Sequence, residues 1–180
     1  MGFAKGVLRG AAAGAAGTTA LNAVTYLDMA IRGRPASSTP EHAVETITGK
    51  LGIEVPGDPD TRPHRTSGLG ALLGIATGVG VGTALGVARA AGWRPPLSRS
   101  AAIVGLAAML GSDTPMVLLG ISDARRWSLA DWLSDLVPHL AYGLVTAATA
   151  QALDPPSRFE RLRASLLPDG YRGAASAAAG

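Results

Sequence analysis

Charged side chains are almost absent from four windows of the chain. Residues 10–27 and 66–88 carry none, 100–122 carries only Asp113, and 136–153 carries none besides His139. A helix needs about 20 apolar residues to cross ~30 Å of hydrocarbon. Each window therefore predicts a transmembrane helix, over roughly 8–30, 66–90, 100–121 and 132–153. Tyr26, Trp93, Trp127 and Trp132 fall near the proposed ends, where amphipathic rings favour the headgroup region. A helix in a soluble core would need a polar face, and the second span has none. Lys5 and Arg9 followed by an apolar stretch resemble a signal peptide. That stretch is rich in Ala and Gly and continues for spanning length, so it reads as an uncleaved first helix.

Between the first two spans, the 32–65 segment is expected to form a loop with structure of its own. Thr39-Pro40-Glu41 reads as an N-cap, a proline at the first helical position and an acid in the first turn. Ala43, Val44, Ile47 and Leu51 share one face, which predicts a short amphipathic helix on the bundle or the bilayer surface. In GDPDT, Asp58 and Asp60 lack the spacing of a calcium loop and read as a turn. The chain thus divides into a transmembrane domain over 1–153 and a tail over 154–180. Arg158, Phe159, Arg161, Leu162 and Arg163 in the tail suggest a brief interfacial helix, and the last residues read as disordered.

Composition agrees with a membrane location. Ala and Gly number 34 and 24, and only 16% of residues are charged, which excludes a disordered, charge-rich chain. The absence of Cys removes disulfides, thiolate metal sites and cysteine nucleophiles. A net charge of +3 scattered among apolar blocks does not make a nucleic-acid surface. Nine Lys and Arg lie on the side of the termini and of the 89–99 loop, against seven on the other side. The three arginines of that short loop place both termini in the cytoplasm of a plasma-membrane protein.

The most regular pattern is a glycine every fourth residue at Gly70, Gly74, Gly78, Gly82 and Gly86. The first span has a matching series in Gly6, Gly10, Gly14 and Thr18. Residues four apart share a helix face, so both helices present backbone where side chains would stand. The expected fold is an all-α, four-transmembrane-helix bundle with glycine-zipper packing of its first two spans. The same glycines could instead join copies of the chain into a homo-oligomer.

Ionisable groups inside a membrane cost several kcal/mol and mark functional candidates. Asp131, Asp135 and His139 are spaced by four, with Tyr142 and Thr146 continuing the stripe, while Asp113 sits in GSDTP of the third span. Counting 1.5 Å per residue puts Asn22, Asp113 and His139 at similar depth, so they could form one polar layer. Asp135 would lie about a turn above it and Tyr142 close to the midplane. Pro115 and Pro138 each free a carbonyl nearby and predict kinks. An Asp–His couple of this kind could pass a proton or simply clamp helices together. A metal site from Asp131, Asp135, His139 and Asp113 matches no established ligand set. Neither G-x-S-x-G, H-E-x-x-H nor a phosphate-binding loop is present, so no enzyme activity, metal or cofactor is expected.

With its Ala/Gly/Arg-rich composition, four spans and a D-x-x-P-H-x-x-Y-G segment (Asp135, Pro138, His139, Tyr142, Gly143), the chain resembles small uncharacterised four-helix membrane proteins of high-GC actinobacteria. The resemblance implies a plasma-membrane location and brings no activity with it. The expected role is structural, accessory or assembly, with the bilayer and a larger complex or second copy as partners. The alternative is a small proton- or ion-coupled transporter or channel.

Overall fold

The computed structural model describes residues 2–154, so the tail from 155 onward, with its expected interfacial helix, lies outside the described residues. The described chain is all-α: α1 spans Phe3–Arg32, α2 Thr39–Lys50, α3 Thr61–Ala90, α4 Leu97–Leu118 and α5 Leu129–Ala152. One 3-10 turn, Ala124–Arg126, precedes α5. At 1.5 Å per residue, the 30-residue α1 and α3 run about 45 Å, and the 22-residue α4 about 33 Å. By length and composition, α3 and α4 are apolar enough to cross a membrane.

The helix ends follow local chemistry. Gly33 (φ 65°) closes α1 in the left-handed conformation that glycine adopts without penalty. Gly120 (φ 74°) lets the chain turn soon after Leu118, so α4 stops short of the expected 121. In GDPDT, the Asp58 carboxylate accepts from the Asp60 and Thr61 amides at 3.1 and 2.7 Å and so caps the start of α3. Those bonds, led by the Thr61 amide, hold Asp58 below the usual carboxylate range. The helix of the 32–65 loop begins at Thr39 itself, with Ser38 as the capping residue. Its Ala43 and Val44 are buried, whereas Ile47 and Leu51 are exposed, so only its first half turns a face inward. Pro40 lies against Gly70, and Ser67 donates to Glu41 at 2.9 Å, which docks α2 on α3.

At the start of α5 a capping box forms. Ser128 Oγ accepts from the Asp131 amide at 3.2 Å, and the Asp131 carboxylate accepts from the Ser128 amide at 2.9 Å. The Ser128 hydroxyl, donating to the same carboxylate at 2.6 Å, is the larger of the influences that hold Asp131 below its usual range. Ser128→Ala should cost about 1 kcal/mol of stability, read as a lower unfolding midpoint in detergent. The Asp131 contribution has a definite sign in pH. Because its folded pKa is depressed, the stabilisation is present above the ordinary carboxylate range and is lost as pH falls through the lowered value. In Ser128→Ala the acid limb of the stability profile should therefore flatten.

Four helices pack in the order α3, α1, α5, α4, each antiparallel to its neighbour. α1 lies along both α3 and α5, and α5 along both α1 and α4, while α3 touches α4 and α5 lightly. Backbone approach makes the α1–α3 seam. A Cβ on Gly10 would stand 2.5 Å from the Gly82 carbonyl, one on Gly14 2.6 Å from that of Gly78, and one on Gly6 2.8 Å from that of Gly86. Gly78, Gly82 and Gly86 thus face α1, but the series divides further along. Gly70 meets Pro40 of α2, and Gly74 meets nothing within 4 Å. A second close approach joins α4 to α5, where Gly143 lies against the Ala101 carbonyl and Gly105 against that of His139. Both helices run unbroken through Pro115 and Pro138.

The packing is inverted relative to a protein folded in water. Its buried core consists largely of Ala13, Ala108, Ala150, Leu85, Val104 and Tyr142, with glycines between the backbones. Large apolar side chains point outward: Leu8 is 70% exposed, Leu72 61%, Leu110 62% and Leu118 80%.

Candidate functional site

The Asp/His cluster forms where α4 meets α5, beside the Gly105–His139 approach that brings the two backbones together. His139 Nδ1 faces two oxygens of Asp135 one turn earlier, the main-chain carbonyl at 2.8 Å and carboxylate Oδ1 at 3.2 Å. With acceptors on both sides, Nδ1 carries a proton. The far nitrogen, Nε2, stands 3.4 Å from Ser112 Oγ of α4. Ser112 also reaches the Met109 carbonyl at 2.9 Å, that of Ala108 at 3.2 Å and Asp113 Oδ1 at 3.3 Å. The Asp113 carboxyl stands beside that of Asp135, whose Oδ2 is buried without a hydrogen-bond partner.

Four groups therefore touch in sequence: Asp113, Asp135, His139 and Ser112. A neutral imidazole needs the Ser112 hydroxyl as donor at Nε2, whereas an imidazolium donates there and leaves that hydroxyl to a carbonyl. A proton held between the two carboxyls would satisfy the orphaned Asp135 oxygen. The arrangement can accept a proton at more than one position and redistribute it by small rotations.

The other expected members lie elsewhere. Asn22 is half-buried on α1 and makes no side-chain hydrogen bond among the described residues. Tyr142 is 1% exposed and donates to the Gly78 carbonyl of α3 at 2.6 Å, in a layer with Gly17 of α1 and Thr146. Three residues along a helix leave two side chains offset by about 60°, and across that offset His139 meets Ser112 of α4 while Tyr142 meets α1 and α3. Asp131, at the head of the same stripe, serves the capping box. Among the described residues, no group of three or more carboxylates and imidazoles is placed to hold a metal ion. Tyr142→Phe removes one interhelical bond and should cost about 0.6–2 kcal/mol, measured by denaturant unfolding in micelles.

Several members carried no periodic signal. Ser112 was visible only as the neighbour of Asp113. Gly17, Gly105 and Gly143 make close approaches singly, without a four-residue series. Outside the cluster, the Asp28 carboxylate accepts from Arg34 at 2.5 Å, from Arg32 at 3.3 Å and from Ser134 of α5 at 3.3 Å, tying the end of α1 to α5. At the opposite end, Arg89 is buried and donates to Asp154 at 2.6 Å. Comparisons with protein-family models, with curated proteins and with solved structures gave no match to this chain.

Proposed function

We propose that the chain is a small four-helix integral membrane protein of structural, accessory or assembly type, with all of α1, α3, α4 and α5 crossing the bilayer. The observation that carries this reading is the inverted packing. Small residues fill the interior and leucines face outward, an arrangement costly in water and favourable in lipid, where close backbone contact replaces the hydrophobic drive. The seam of Gly6, Gly10 and Gly14 with Gly78, Gly82 and Gly86 acts as a glycine zipper within one chain. Orientation rests on charge. The end bearing the N-terminus collects Lys5, Arg9, Arg89, Arg94 and Arg99, with Asp154 its one acid among the described residues, which favours the cytoplasmic side of the plasma membrane.

Gentle extraction into detergent, native mass and identification of co-purifying subunits test the role. Foreign subunits in defined ratio are the expected result. A monomer or homo-oligomer free of other proteins overturns the accessory role. Recovery of the chain in the soluble fraction overturns membrane insertion as well.

A second reading has a specific observation behind it: Asp113, Asp135, His139 and Ser112 form a chain of proton-holding groups across α4 and α5. In this reading the protein carries protons or an ion coupled to them. Purified protein in liposomes should then give pH-dependent flux that falls at least tenfold in Asp113→Asn, about 1.4 kcal/mol at the rate-limiting step. Flux that is absent, or unchanged in the variant, leaves the cluster as a clamp between helices.

A further inference from the structure

The α4–α5 connection forms an open cup of about 800 Å³ with both apolar and charged side chains in its lining. Its lining combines the apolar Val117, Ile121 and Trp127 with the charged Asp123, Arg125 and Arg126. The cup is held in shape by two internal contacts. The Trp127 indole donates to Ser122 at 3.1 Å, and its ring meets that of Trp132 edge-on at 5.0 Å between centroids. Arg125 is committed within the loop, since its guanidinium and amide both donate to Asp123, at 3.0 and 3.1 Å. That pairing cancels the Asp123 charge. Arg126 is exposed and makes no ion pair among the described residues, so the cup carries one net positive charge. Leu118, next to Val117 at the end of α4, is 80% exposed.

We infer that this cup binds the phosphate headgroup of an anionic phospholipid, with Arg126 on the phosphate and the acyl chains descending past Val117 and Leu118. The inference rests on the membrane reading above, which puts the loop at the headgroup level. An exposed guanidinium suits a phosphate by forked hydrogen bonds, and paired indoles are at home at that depth. A soluble phosphate would use the cation but leave the apolar wall unexplained.

Tryptophan quenching by lipid reads occupancy directly. Trp93→Phe removes the indole at the opposite end of the bundle and leaves Trp127 and Trp132 as reporters. The full chain carrying this change is reconstituted in phosphatidylcholine vesicles containing a minority of brominated phosphatidylglycerol or, in parallel, of brominated phosphatidylcholine. Brominated phosphatidylglycerol should be enriched about fivefold at the reporters over random mixing, the ratio that ~1 kcal/mol per arginine near an anionic surface gives. Arg126→Gln should abolish the excess, while inorganic phosphate at constant ionic strength should leave it in place. Equal quenching by the two brominated lipids overturns the site. Displacement by inorganic phosphate also overturns it, assigning the cup to the free ion. Failure of the chain to float with vesicles would count against the membrane reading instead.

Discussion

Gly82→Leu should prevent the α1–α3 seam from closing and cost about 3 kcal/mol or more, whereas Gly74→Leu, two turns away on the same helix, should leave stability within about 0.5 kcal/mol of the parent. The contrast comes from what a side chain would meet. A Cβ on Gly82 would enter the backbone of α1, lying against Gly14 Cα, 2.5 Å from the Gly14 nitrogen and 2.6 Å from the Gly10 carbonyl. None of these atoms is the end of a flexible side chain, so relief requires the helices to move apart. Separation by even an ångström forfeits much of the dispersion energy along the seam, and on the proposed membrane reading no water-driven association compensates for it. At Gly74 a Cβ finds open space. Gly82→Ala should already cost ~1–3 kcal/mol, because the first carbon causes the collision. Denaturant titration in micelles, followed by helix content and by crosslinking of α1 to α3, measures all three variants. Equal losses at Gly82 and Gly74 would show that contact with α1 does not set the effect, since Leu exceeds Gly in helix propensity at both positions.

This pair also marks how far the sequence could be read. A glycine every fourth residue revealed which face of α3 would be bare, since the helical period alone places those residues together. It did not reveal where α1 would leave that face. The helices share it from Gly78 to Gly86, and beyond that the α2 segment takes over at Gly70 through Pro40, a partner no periodicity could name. Helix existence and order were legible because charge-free windows are long and lie between charged loops. Their ends depended on single residues such as Gly120, Asp58 and Ser128.

The candidate site was legible to the level of residue type and depth, and no further. Asp135 and His139, four apart on one helix, were bound to meet. Asp113 stands beside Asp135 because Gly105 and Gly143 draw α4 and α5 together, which depends on tertiary register. Depth counting also grouped Asn22 with them, but equal depth on different helices says nothing about rotation about the helix axis. Tyr142 is the same lesson in reverse. It lies one turn from His139 and faces other helices, so a stripe that looked continuous serves two separate layers.

Asp154→Ala should be the most damaging single change outside the glycine seams, costing about 3–5 kcal/mol. Arg89, at the end of α3, is 6% exposed, and its Nε and Nη2 donate to Asp154 at 3.1 and 2.6 Å. Arg94 approaches the same carboxylate at 3.7 Å, with its side chain 36% exposed. Removing the carboxylate leaves a buried guanidinium with its strongest partner gone, and desolvation of an unpaired charge dominates the result. The pair closes the bundle at the end where α3 and α5 finish, so the penalty should appear as earlier unfolding of that end in hydrogen exchange. Arg89→Met should cost less, because Asp154 retains Arg94 and is the more exposed member of the pair. The double variant, Arg89→Met with Asp154→Ala, should recover most of the loss, since two apolar side chains can fill the site without stranding a charge. A double variant as unstable as Asp154→Ala alone would mean that Asp154 acts through the backbone at the end of α5 and not through Arg89.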